Sequence, residues 1–86
     1  MPTVLRLHGL RVEIDSNDHQ PAHVHVNGTN TTAVFALNCP DGLPTLREVY
    51  GFSLAEVNTI LRALVQHLTL LCKRWGEIHG HFYATI

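Results

Sequence analysis

The sequence predicts an α+β domain in which a small antiparallel sheet of four to five strands packs against one long C-terminal helix. Two observations indicate this class: stretches of alternating apolar and polar residues occupy the first half of the chain, and a helical apolar stripe occupies the second. The 86 residues leave room for a single domain. We expect the sheet in residues 1–50, the helix in residues 53–79 and a tail in residues 80–86.

The first two strands are predicted as a hairpin around a turn at His8 and Gly9. After this turn Leu10, Val12 and Ile14 alternate with polar residues, which is typical of a strand with one buried face. The following residues, 15–22, are rich in side chains that favour turns and include a proline, so they predict a loop. This loop delivers the chain to the next strand.

A second hairpin is expected around the turn-forming residues 27–30. Its strands run from His23 to Val26 and over residues 31–37, which are rich in β-branched and aromatic side chains. Residues 45–50 fit either a short helix opened by Pro44 or a fifth strand at the sheet edge, and we favour the strand. The strands would then number five.

The helix is predicted to begin at a capping box formed by Ser53 and Glu56. Apolar residues then recur at three- and four-residue steps, at Leu54, Val57, Leu61, Leu64, Leu68, Leu71, Trp75 and Ile78. A broad stripe of this kind packs on the sheet of its own domain, and its length also allows a homodimer through the helix. We expect Trp75 in the core.

Composition narrows the classes of function. The net charge of −1 gives no general attraction for a phosphate backbone, although folding can still gather a local basic patch. No apolar run reaches the length of a membrane span, and the N-terminus has no secretory leader pattern, so we expect a cytoplasmic protein. In that compartment Cys39 and Cys72 are expected to be reduced thiols.

Three histidines and an aspartate stand close together in the stretch SNDHQPAHVHV. His23 and His25 are two residues apart on a predicted strand, so they share one face, while Asp18 and His19 precede them in the loop. Three imidazoles and a carboxylate are suitable ligands for zinc, iron or manganese. The same imidazoles could work as general acid and base or bind an anion, or they could simply lie on a solvated strand face.

A second pair, His79 and His81, repeats the His-x-His spacing near the end of the helix. These side chains meet the first cluster if the helix returns to the sheet, and otherwise His79 complements the helix dipole. No glycine-rich phosphate loop, cysteine pair with zinc spacing or serine nucleophile motif is present in the sequence.

The chain resembles the bacterial family called domain of unknown function 4160. The resemblance rests on MPTVLR at the start, NDHQPAHVH in the middle, GFS before the helix and WGEIHG near its end. Its signature positions are here Asn17, Asp18, His19, Pro21, His23 and His25, and the family usually has a second proline where this chain has Ala22. The resemblance implies a small prokaryotic α+β protein encoded beside another small protein, as in toxin–antitoxin pairs.

Two functions follow as expectations. The first is a protein-binding component of a toxin–antitoxin-like operon, which holds a small partner from a neighbouring gene. The second is a histidine-dependent hydrolase or ribonuclease toxin that uses His19, His23 and His25, with or without a divalent metal such as zinc.

Overall fold

The structure, a computed structural model, describes residues 3–17, 19 and 21–79. Five strands form one antiparallel sheet in which each strand pairs with its neighbour along the chain. The elements in order are β1 (Thr3–Leu7), β2 (Leu10–Glu13), β3 (His23–Gly28), β4 (Thr31–Ala36), β5 (Thr45–Tyr50), α1 (Leu54–Gln66) and α2 (Leu68–His79). The α+β class is confirmed, and residues 45–50 are a strand.

Residues with positive φ close the hairpins. His8 and Gly9, with φ of 48° and 84°, turn the chain between β1 and β2, and Asn30 at φ 59° turns it between β3 and β4. Glycine and asparagine adopt this left-handed conformation at little cost, which is why they mark turns in sequences. Both predicted hairpins are therefore present.

Alternation along β3 divides the sheet into two faces. Val24 and Val26 are fully buried and pair with Phe35 and Ala33 of β4, which are also fully buried. These four side chains lie on one face of the sheet, here called the core face, and pack in the hydrophobic core with residues of β2 and the helices. The largest fully buried side chains are Trp75, Phe35, Ile14, Leu37, Leu64, Leu71, Val12, Val24 and Val26.

The prediction of one long helix is wrong, because two helices meet at His67. This residue has φ −110° and ψ 15°, and its N–H is shared between the carbonyl oxygens of Ala63 and Leu64 at 3.2 and 3.1 Å. Leu64 before the break and Leu71 after it are both fully buried. Both halves of the apolar stripe therefore contribute to the core.

The start of α1 is as predicted. The Ser53 hydroxyl accepts a hydrogen bond from the Glu56 N–H at 3.1 Å, and the Glu56 carboxylate accepts one from the Ser53 N–H at 2.7 Å. No helix in the described part of the chain is long and apolar enough to cross a membrane.

The prediction of two reduced thiols is also wrong, because Cys39 and Cys72 form a disulfide. The bond joins the connection between β4 and β5 to the middle of α2. Its partners are 33 residues apart in sequence, and Cys72 is buried in the core. Sequence spacing gave no signal for this pairing, which depends on how α2 packs. The predicted tail over residues 80–86 lies outside the described residues.

Candidate functional site

An open groove with a volume of about 600 Å³ lies along β3, β4 and β5. Its lining combines imidazole, guanidinium, carboxylate, phenol and hydroxyl groups with a few apolar residues. We call it the histidine groove, and its residues are His19, Pro21, His23, His25, Thr32, Ala33, Val34, Arg47, Glu48, Val49 and Tyr50.

All three histidines of the middle stretch line this groove. His23 and His25 lie on β3, opposite in direction to the buried Val24, and both are half-buried. Their ring centroids are 5.3 Å apart with an interplanar angle of 68°. His19 reaches the groove from the loop and is exposed. The period of a β-strand thus places the two strand imidazoles side by side, as expected.

The loop before β3 fixes the tautomer of one imidazole. Nδ1 of His23 lies 2.9 Å from the carbonyl oxygen of Pro21. Because a carbonyl oxygen only accepts hydrogen bonds, Nδ1 carries the proton in this contact. In the neutral ring Nε2 is then the basic nitrogen, which is the atom that would take up a proton or ligate a metal.

A continuous chain of rings joins this cluster to the end of α2. The His23 ring lies 5.2 Å from the ring of Trp75, and Trp75 stacks on His79 at 3.8 Å with an angle of 23°. Nδ1 of His79 donates to the Trp75 carbonyl oxygen at 3.1 Å. In the described part of the chain, Trp75 Nε1 and His79 Nε2 are buried without a hydrogen-bond partner. The end of α2 therefore returns to the sheet.

The other residues predicted for the site do not form a single cluster with the histidines in the described part of the chain. The Asn17 N–H donates to the Asp15 carboxylate at 2.9 Å in an exposed turn, a contact that shapes the loop. Pro21 lines the groove and holds His23. Asp18 and His81 lie outside the described residues.

Sequence reasoning missed the contribution of β5. Arg47, Glu48 and Tyr50 line the groove because β5 pairs with β4, which in turn pairs with β3. The pairing of Val34 with both His25 and Glu48 puts the acid two strands away from the imidazole on the same face. The sequence showed a fifth strand, but its register was needed to bring these side chains to the histidines.

A buried acid next to the groove was missed as well. Glu13 is 9% exposed and pairs in register with His25. Its carboxylate accepts hydrogen bonds from Asn27 Nδ2 at 2.6 Å and from the Thr3 hydroxyl at 3.3 Å, and it lies 3.5 Å from Arg11 Nε. Such a network satisfies a buried carboxylate and joins β1, β2 and β3. The signal was present in the alternation around Val12, which puts Glu13 on the face of the sheet that carries His23 and His25, here called the histidine face.

A metal centre was one interpretation of the histidine cluster. Within residues 3–17, 19 and 21–79, no three His, Cys, Asp or Glu side chains gather closely enough to hold an ion. The predicted ligand set also includes Asp18, which is not among those residues, so the zinc site stays a prediction.

Comparison with known proteins found a match to one protein family. The family model for the domain of unknown function DUF4160 matches residues 9–76, which include β2 to β5, all of α1 and most of α2. No curated protein and no solved structure matches the chain. From the family match, the chain belongs to the DUF4160 family.

Proposed function

We propose that this protein is a protein-binding module of a toxin–antitoxin-like operon and that it binds its partner through β5. The observation that carries the proposal is the exposure of this strand: all six residues, Thr45–Tyr50, are exposed. β5 pairs with β4 on one side, and within the described residues no strand pairs with its other side. An edge of this kind offers unpaired backbone groups to a second protein.

The side chains of β5 give such a contact an apolar component. Leu46, Val49 and Tyr50 are 39%, 45% and 71% exposed, and Leu46 and Val49 pair with the buried Phe35 and Ala33 on the core face. The core face of the sheet therefore continues onto β5 without being covered there. A partner strand that adds to β5 would form main-chain hydrogen bonds and bury these side chains at the same time.

The partner implied by the family resemblance is a small protein encoded by the neighbouring gene, and we place both proteins in the cytoplasm, the compartment expected from the sequence. The low charged fraction of 15% suits a surface that meets another protein.

A pair of valines with the same exposure provides a matched test. Val49 on β5 is 45% exposed and Val65 on α1 is 44% exposed. We expect Val49→Lys to weaken binding of the neighbouring gene product by roughly tenfold or more, because it puts a charge at a residue that the partner would bury in the complex. Val65→Lys should leave the affinity unchanged. Calorimetric titration of the two variants that gives equal affinities would overturn the proposal, and so would a wild-type protein that does not bind.

A second function, phosphodiester hydrolysis in RNA, is favoured by the content of the histidine groove. His23 and His25 would act as general base and general acid, and His19 could take either part in their place. Arg47 would bind the phosphate, and Tyr50, 71% exposed, offers a ring on which a base can stack. No metal is required for this chemistry.

Cleavage of a fluorescent RNA substrate by purified protein tests this second function. The double variant His23→Ala, His25→Ala should lose the activity, and the metal content of the wild type shows whether an ion takes part. His8→Asn is the control, since it removes an imidazole from a turn outside the groove and asparagine tolerates the positive φ there. Cleavage or growth arrest that survives the double variant would remove this function.

A further inference from the structure

We infer that β5 pairs with β5 of a second copy of this chain, so that the protein without its partner is a twofold homodimer with one continuous sheet. This inference rests on β5 being the binding surface proposed above, but it does not depend on the identity of the operon partner.

A bulge in β5 determines which self-pairing is allowed. Val34 pairs with Glu48 and the next residue, Phe35, pairs with Leu46, so Arg47 is an extra residue on β5. In a regular strand, residues three apart point to opposite faces. The bulge instead puts Leu46 and Val49 on the same face, which is the core face of the sheet.

A twofold axis perpendicular to the sheet keeps each side chain on its own face. Directly opposed residues of an antiparallel pair also share a face. Leu46 can therefore stand opposite Val49 of the second copy, which a strand without the bulge would forbid. The same register places Thr45 opposite Tyr50 of the second copy, and these residues pair with Ala36 and Thr32 on the histidine face of β4.

The charges of Arg47 and Glu48 favour this register over the registers shifted by one residue. It places Arg47 opposite Glu48 of the second copy, and Glu48 opposite Arg47, so the dimer contains two attractive pairs. A shift by one residue in either direction places Arg47 opposite itself or Glu48 opposite itself. Like charges directly opposite one another destabilise a strand pair. The sequence LREV is thus complementary to itself in one antiparallel register only.

The bulge also answers the objection that bulges and charges protect sheet edges from association. An unrelated regular strand meets an extra residue and two charges along β5, and it pairs well only if its own sequence complements them. A second copy carries the same extra residue and the opposite order of charges. The bulge and the two charges, which discourage pairing with an unrelated strand, therefore favour pairing with β5 of a second copy.

The helices are less suited to form the dimer. The apolar stripe that would form a helical seam is used inside the chain: Val57, Leu64, Leu71 and Trp75 are buried in the domain's own core. β5 is the element whose six residues are all exposed. Because the operon partner is proposed to add to the same edge, dimer formation and partner binding should exclude each other.

Sedimentation of the wild-type protein at low salt, from micromolar to millimolar concentration, is the first measurement. We expect a reversible monomer–dimer equilibrium. A protein that stays monomeric over this whole range would overturn the inference.

Charge reversal then tests the register. Arg47→Glu places Glu opposite Glu in both pairs, and Glu48→Arg places Arg opposite Arg, so each single variant should dimerise roughly tenfold or more weakly than the wild type. An equimolar mixture of the two variants restores both attractive pairs and should form a heterodimer. The double variant R47E/E48R should also regain the dimer. Two weak variants that do not recover on mixing would refute this register.

Titration with the operon partner separates the two proposals. If the dimer forms and the partner does not bind, the proposed function fails and the inference stands. If the chain is monomeric and the partner binding is weakened by Val49→Lys, the inference fails and the proposed function stands.

Discussion

Reduction of the Cys39–Cys72 disulfide should remove a large share of the stability of this domain. The bond closes a loop of 33 residues that contains β5 and α1. The loop-entropy relation assigns about 3.7 kcal/mol to a loop of this length, between about 3 kcal/mol for 15 residues and about 4.7 kcal/mol for 100. A domain of this size has a total free energy of unfolding of about 4–13 kcal/mol. Loss of the bond therefore removes between about a quarter and about nine-tenths of this free energy.

Urea denaturation followed by circular dichroism measures this difference. The wild-type protein is unfolded with and without reductant, and the two extrapolated free energies are compared. The double variant Cys39→Ala, Cys72→Ala is the control, because its unfolding should not respond to reductant. If the oxidised and reduced wild-type curves coincide within about 0.5 kcal/mol, the reasoning from loop closure is wrong.

Four substitutions test local features by the same denaturation measurement. Ser53→Ala removes one half of the capping box and should cost about 1 kcal/mol; an unchanged midpoint would mean that α1 does not depend on its cap. Gly9→Ala should cost about 1–2 kcal/mol because the φ of Gly9 is 84°. Gly51→Ala should cost more, because its φ is 85° and the new Cβ would also lie 2.8 Å from the Asn30 carbonyl oxygen. Equal losses of stability in the two variants would contradict the steric argument. Asn27→Ala removes a hydrogen bond to the buried Glu13 carboxylate and should cost about 1.5–3 kcal/mol, whereas a neutral effect would show that the network is dispensable.

Local patterns predicted the elements of this fold well. The capping box at Ser53 depends on contacts within one turn, and the turn at Asn30 depends on the conformational preference of one residue type. The shared face of His23 and His25 follows from the period of a strand alone. Each of these features is determined by residues that are close together in sequence, so it can be derived without knowing the fold.

Features that depend on distant contacts were missed. The break at His67 has no glycine or proline to mark it in the sequence, and the apolar pattern continues across it from Leu64 to Leu71. The disulfide depends on α2 returning to the connection after β4. Arg47 joins the histidine groove only because a bulge and two successive strand pairings put it there. Strand register and tertiary packing, which the sequence does not display, determine the disulfide and the position of Arg47.

The chain of rings from the sheet to α2 gives the groove a built-in optical probe. Trp75 is the single tryptophan of the sequence, so all of the indole emission comes from one buried position. Its ring touches His23 on one side and stacks on His79 on the other. A bound ion, an added proton or a ligand that displaces His23 would change the surroundings of this indole, and the groove would report its own occupancy without any label.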